Sequence, residues 1–209
     1  MNTNQKVDLY ALYKHEYVAP RKPVLVETGP AIYLAISGQG APGGAAFTSR
    51  IGALYAIAFT VKMTRKFSGQ QDYTVGKLEC QWFFADGQEP AQLPADQWRW
   101  RLLIRTPEFV RAQELNQAAA TLLKKGKPSE VKEVKLEPLN EGLCVQMLHV
   151  GPYDREPESI ALMKALAAEH GLQLCGPHHE IYVSDPRRVA PERLKTILRA
   201  PAIKVGRKP

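Results

Sequence analysis

The spacing of apolar positions switches between two and three-to-four along the chain, and each switch marks an element. Ala31 to Gly40 (AIYLAISGQG) is a short apolar strand closed by glycines, and APGGAAF continues as a loop. From Phe47 to Lys66 the residues Phe47, Ile51, Leu54, Tyr55, Ala58 and Phe59 recur at steps of three and four, which predicts one face of a helix. DYTVGKLECQWFF (72–84) reads as a strand with Gly76 as a bulge or close-approach point, and ADGQEP turns the chain. In QWRWRLLIRTP, Trp98, Trp100, Leu102 and Ile104 alternate with Arg99, Arg101 and Arg105; this period of two predicts a strand with one buried face and arginines on the other.

Pro107 and Glu108 open an expected helix to about Lys125, with Val110, Leu115, Ala118, Ala119 and Leu122 as its apolar stripe. Leu143 to Asp154 (LCVQMLHVGPYD) is a strand ending in a turn. EPESIALMKALAAEHG (156–171) is a helix with Ile160, Met163 and Ala167 inward and Gly171 as its C-cap. HHEIYVSDP follows as a strand, and APERLKTILRAP (190–201) as a short closing helix. The second half thus repeats the strand, glycine-containing loop, helix and strand of Tyr33 to Phe84, with Glu79 and Glu180 at corresponding places. The expected fold is α+β: two pseudo-symmetric repeats (about 26–106 and 107–201) form an antiparallel sheet with helices on one side. An extended lead-in (1–25) precedes them and a basic tail (202–209) follows.

Composition changes this picture little. The chain has 209 residues, 44% apolar and 23% charged, as ordinary globular proteins do. It shows neither a membrane-length apolar run nor the apolar region of a secretory signal, and its 3 cysteines (Cys80, Cys144, Cys175) are widely spaced, so reduced thiols in a cytoplasmic protein are expected. The net charge of +7 raises nucleic-acid binding, but the basic residues are dispersed and the denser runs, KKGKP and KVGRKP, sit beside Gly and Pro as solvated loops do.

The stretch GPHHEIYVSDP places a carboxylate, Glu180, inside a strand, where Glu is disfavoured. Adjacent His178 and His179 point to opposite faces, so they cannot chelate one ion together, and no metal site is expected. Alternation groups His179 with Ile181 and Val183 as the set expected under the helices. His178, Glu180 and Tyr182 form the set expected on the helix-free face. That face is either bathed in water, with Glu180 an ordinary surface acid, or lined by aromatics drawn from Trp82, Trp98, Trp100, Tyr153 and Tyr182 to make a pocket for a flat ligand.

IGALYAIAFTVKM, LECQWF, WRWRLLIRTPEFV, HVGPYDREPESIALMKALAAEHGL and HHEIYVSDPRRVAPERLKTILRAP together resemble the GyrI-like small-molecule-binding family in its stand-alone form, over about Asp8 to Pro201. The resemblance implies tandem strand–helix–strand–strand units around a central ligand cleft. It also implies binding of flat, cationic or aromatic molecules by a buried acid, which Glu180 matches. Stand-alone relatives include hydrolases of cyclopropanoid DNA-alkylating compounds of the yatakemycin and duocarmycin kind; the alternative is a non-catalytic multidrug-binding or gyrase-inhibitor-like sequestering protein. The first thirty or so residues are too short and Pro-rich for a helix-turn-helix, which favours a stand-alone protein.

On the hydrolase reading, Glu180 with a raised pKa is the general base. Tyr55, Tyr182 or Tyr153 donates to the oxygen where charge develops, and Trp82 with Trp98 or Trp100 sandwiches the ligand. Glu79 is a possible second, pseudo-symmetric acid, no cofactor is needed, and sheet edges leave a homo-oligomer open.

Overall fold

The computed structural model describes residues 6–84 and 93–206; the turn expected at ADGQEP lies outside them. The fold is α+β, and the strands within each of its two compact units pair antiparallel. The described residues of the first unit are 6–12, 31–78, 84 and 93–139, and those of the second are 13–30, 79–83 and 140–206.

In the first unit, β2 (Ala31–Gln39) lies between β4 (Arg99–Thr106) and β5 (Lys135–Leu139). The helix α3 (Ala45–Phe67) packs on β2 and β4, and α4 (Ala112–Lys124) packs on α3. Leu54, Ile57, Ala58 and Val61 are the buried stripe of α3, close to the spacing read from the sequence. The next helix starts later than expected, at Ala112. Val110 is already held in a turn by Pro107, and a capping box forms in which Glu114 accepts the Arg111 amide at 2.9 Å.

The arginine side of β4 is not simply solvated. Leu103 is buried there with Ala31, Tyr33 and Ala35, Arg105 is 2% exposed, and Arg101 pairs with Glu137 at 2.8 Å. Gly76 is a close-approach point, as its sequence context predicts: an added Cβ would lie 3.2 Å from the Arg105 carbonyl.

In the second unit the strand order is β1 (Val24–Thr28), β6 (Gly142–Val150), β9 (Lys195–Lys204), β8 (His178–Tyr182) and β3 (Glu79–Phe83). A short β7 (Leu172–Leu174) pairs with the far end of β9. The helix α5 (Glu156–Glu169) packs on β6 and β7, burying Met163 and Ala167 against Val145, Met147, Leu198 and Ala200. It ends as expected, with Gly171 at φ 65° supplying the left-handed backbone that follows a helix.

Two expectations fail for stated reasons. The closing helix is instead a single 3-10 turn (Pro191–Arg193) leading into β9, which also runs into the expected tail. Leu194, Ile197 and Leu198 have helical spacing, but this strand is paired on both sides and buried on both faces, so its apolar residues run on without alternating. The lead-in, expected to be extended, contains two single helical turns, α1 (Leu9–Leu12) and α2 (Lys14–Tyr17), and Glu16 and Tyr17 are buried. Among the described residues no helix is long and apolar enough to cross a membrane.

Gly38 faces Trp100 across the β2–β4 ladder, and a Cβ there would lie 2.3 Å from the indole ring. Phe47 meets the same ring edge-on at 5.0 Å, so the indole has little room to move. Gly38→Ala is therefore expected to cost about 1–3 kcal/mol by overpacking. Urea denaturation measures it, and an unchanged midpoint would refute the close contact.

Candidate functional site

The register of the second unit sorts its side chains into two buried rows. Gln81 pairs with His179, His179 with Arg199, and Arg199 with Gln146, so these four residues cross β3, β8, β9 and β6 on one face. Cys80 pairs with Glu180, Glu180 with Leu198, and Leu198 with Met147 on the other. Leu198 and Met147 are the residues α5 covers, so Glu180 lies on the helix-covered face. This reverses the face assignment expected from alternation. Period two separates His179 from Glu180 correctly, but it does not say which side the helix takes.

The His179 row is an ionic network. The ring sits between Glu79 (Nε2 to Oε2, 3.0 Å) and Glu141 (Nδ1 to Oε1, 3.0 Å). Gln81 donates to Glu141 at 3.1 Å, and Arg199 donates to Gln146 at 2.8 Å, to Glu141 at 3.4 Å and to the Glu16 carbonyl. Tyr17 donates to Glu79 at 3.1 Å and lies under the Arg199 guanidinium. Burial alone would push the imidazole down, but Glu141 and Glu79 outweigh it and raise His179 to about 9. Burial opposes ionisation of Glu141 as well, yet His179 and Arg199 hold it down at about 2. Glu79 is thus 0% exposed, on the face opposite Glu180, and packed as a partner of His179.

The Glu180 row is different in character. Glu180 is 7% exposed, and His178, Tyr182 and Trp82 lie around its carboxylate. His178 Nε2 is 3.5 Å from its carboxylate. Glu156, the first residue of α5, is 6% exposed and hydrogen-bonded to Glu180. Burial works against ionising Glu180, but His178, Tyr182 and Trp82 beside it prevail and its pKa is lowered. The raised pKa expected for Glu180 belongs to Glu156, pushed well up by burial and by the charge on Glu180.

Aromatic rings border the pair. Trp82 is 4% exposed, Tyr182 is half-buried, and Tyr153 meets Tyr182 edge-on at 6.1 Å while remaining 40% exposed. Burial, with Glu180, Glu156 and Asp185 nearby, raises Tyr153 to about 12, so its hydroxyl stays a donor at neutral pH.

The other expected site residues belong to the first unit. Trp100 is 1% exposed, with Nε1 donating to the Gly40 carbonyl at 3.1 Å; its surroundings are those of a packed interior residue. Trp98 is half-buried against Phe84 and donates to the Leu93 carbonyl, and Tyr55 is half-buried and stacked on Phe59.

Among the described residues, one trio is spaced as metal ligands would be. Glu156, His178 and Glu180 each bring one ligand atom within 4.8 Å of the others. The sequence reading separated the two histidines correctly but missed Glu156. An acid at the start of a helix is ordinary, and only its burial beside Glu180 distinguishes it.

Residues 100–202 match the model of the GyrI-like small molecule binding domain. An uncharacterized conserved protein from Listeria innocua is 35% identical with a TM-score of 0.88, over 95% of this chain and 100% of its own. The chain belongs to the GyrI-like family. A hydrolase from the same organism is 34% identical over the same shares of each chain, with a TM-score of 0.87. The C-terminal domain of EcmrR, 13% identical with a TM-score of 0.56 over 88% of this chain and 98% of its own, shares the fold alone. No curated protein matches. The protein is accordingly a GyrI-like small-molecule-binding domain, and Glu180 with its aromatic border is its candidate site.

A histidine whose folded pKa lies above its unfolded value stabilises the fold fully below the unfolded value, near 6.5, and that contribution is lost as pH rises through the folded one, about 9. The urea midpoint is expected to fall from pH 6.5 through 9, by on the order of 2–3 kcal/mol of stability. Imidazole resonances report the cause. Of the 5 histidines, the ring of His179 should titrate near 9, and a titration near 6.5 would remove it as a buried cation.

Proposed function

We propose that this protein binds flat hydrophobic or cationic aromatic molecules beside Glu180 and hydrolyses cyclopropanoid DNA-alkylating compounds of the yatakemycin and duocarmycin kind. The observation that carries the proposal is a buried carboxylate whose neighbours His178, Tyr182 and Trp82 favour its ionised form, bordered by aromatic rings. The 34% identity to a Listeria innocua hydrolase along nearly the whole chain supports a hydrolytic reading.

In the proposed reaction, a water held by Glu180 attacks the strained ring carbon and gives its proton to the carboxylate. The carbon–carbon bond of the cyclopropane breaks, and its electron pair moves through the conjugated dienone to the carbonyl oxygen, which becomes a phenolate and takes up a proton. Ring strain and formation of the aromatic ring drive the step, so a base of lowered pKa suffices to orient and deprotonate the water. The oxygen where charge develops needs a donor. Tyr153 keeps its proton at neutral pH and borders the pair, whereas Tyr182 is engaged in holding Glu180.

The second reading is a sequestering protein that holds its ligand unchanged; the buried acid favours cationic ligands in that case. Incubation with a cyclopropanoid substrate and mass spectrometry separates the two. A hydrolase yields a product heavier by one water, Glu180→Gln lowers its turnover by about 10²–10⁴-fold while the neutral substrate still binds, and loss of the donor tyrosine in Tyr153→Phe costs about 10²-fold. Wild-type protein that holds the compound for hours without forming this product would establish the sequestering reading.

A further inference from the structure

Glu156 and Glu180 are two buried carboxyl groups in contact, 6% and 7% exposed, and adjacent carboxylates in such surroundings cannot both hold a full charge. The surroundings also decide which of them carries the proton. His178, Tyr182 and Trp82 surround Glu180 and favour its charged form, whereas Glu156 Oε1 is buried without a hydrogen-bond partner. Glu156 therefore carries the proton and donates it to Glu180.

The other groups facing the pair among the described residues are Cys80 and Trp82 from β3, His178 and Tyr182 from β8, and Tyr153 with Asp185 from the adjoining turns. Burial and Glu180 push the Cys80 thiol and the Tyr182 hydroxyl well up, so both stay neutral near pH 7. His178 is the remaining titratable group facing the pair, with Nε2 3.5 Å from the Glu180 carboxylate, and the position of Glu156 at the N-terminus of α5 eases its ionisation once a positive charge arrives.

Building on the reading of Glu180 as part of a ligand site, we propose that the Glu156–Glu180 pair is a proton-exchanging counter-ion: a cationic aromatic ligand enters with loss of the shared proton, and a neutral one enters with the proton retained. Proton balance is simple. The free site holds one proton on two carboxyl groups, the cation complex holds none, and that proton goes to solvent. The site thereby accepts ligands of either charge without rebuilding its walls, its own charge changing from one negative to two.

Two flat probes of nearly the same shape test this: 10-methylacridinium, a permanent cation, and 10-methylacridone, which is neutral. Binding is followed by fluorescence from pH 6 to 8.5 with EDTA present, and by calorimetry in phosphate and in Tris, whose different ionisation heats reveal proton release. The cation's affinity is expected to rise about tenfold per pH unit with about one proton released, while the acridone's stays flat. In Glu156→Gln, checked for folding by circular dichroism, the cation's pH slope and proton release vanish; in His178→Asn both persist.

Wild-type protein that binds the cation without pH dependence or proton release overturns the exchange and leaves the ligand site standing. A slope lost in His178→Asn and kept in Glu156→Gln overturns it too, because the proton then belongs to the imidazole. If neither probe binds at any pH, the ligand-site reading fails and the exchange fails with it.

Discussion

The second unit depends on a buried histidine held between two carboxylates. His179 is 0% exposed, yet Glu79 and Glu141 keep it cationic, and Arg199 anchors the same cluster to Gln146 and to the backbone of the lead-in. Burying such charges is costly, and removing one partner leaves another uncompensated, so the cluster permits a single arrangement of its strands. Shifting β8 by one residue would put His179 among the apolar residues beneath α5 and Glu180 among the charges. The ionic row on one face therefore also holds Glu180 in place on the other.

The two rows show how neighbouring residues of one strand acquire opposite chemistry. His179 meets fixed negative charge and is stabilised as a cation. Glu180 meets His178, Tyr182, Trp82 and a second acid, so it ionises while Glu156 stays protonated. Paired groups with pKa values driven apart by their surroundings are a common source of acid and base roles. Here that division arises where a strand passes the first residue of a helix, beside the edge-on rings of Tyr153 and Tyr182.

Local pattern made a good part of this legible. The alternation of Trp98, Trp100, Leu102 and Ile104 predicts β4, because strand geometry acts over two residues. The spacing of Met163 and Ala167 predicts the buried side of α5 for the equivalent reason in a helix. Glu180 stood out because a strand interior disfavours a charge, and GyrI-like motifs marked it independently. β9 was misread because a strand covered on both faces shows no alternation, and Leu194, Ile197 and Leu198 fit a helix by chance. Glu156 went unnoticed because its distinguishing property is burial beside a residue 24 positions away, which no local spacing records.

The sequence by itself determined the class of the fold, the strong helices and the GyrI-like family, and it placed His179 and Glu180 on opposite faces, since these follow from periodicity and motif. Tertiary structure decided which face α5 covers, which acid carries the proton and where each aromatic ring packs. Those outcomes depend on strand register and on low-dielectric contacts between distant residues. A pKa belongs to a residue's surroundings, and the chain acquires those only when its strands pair.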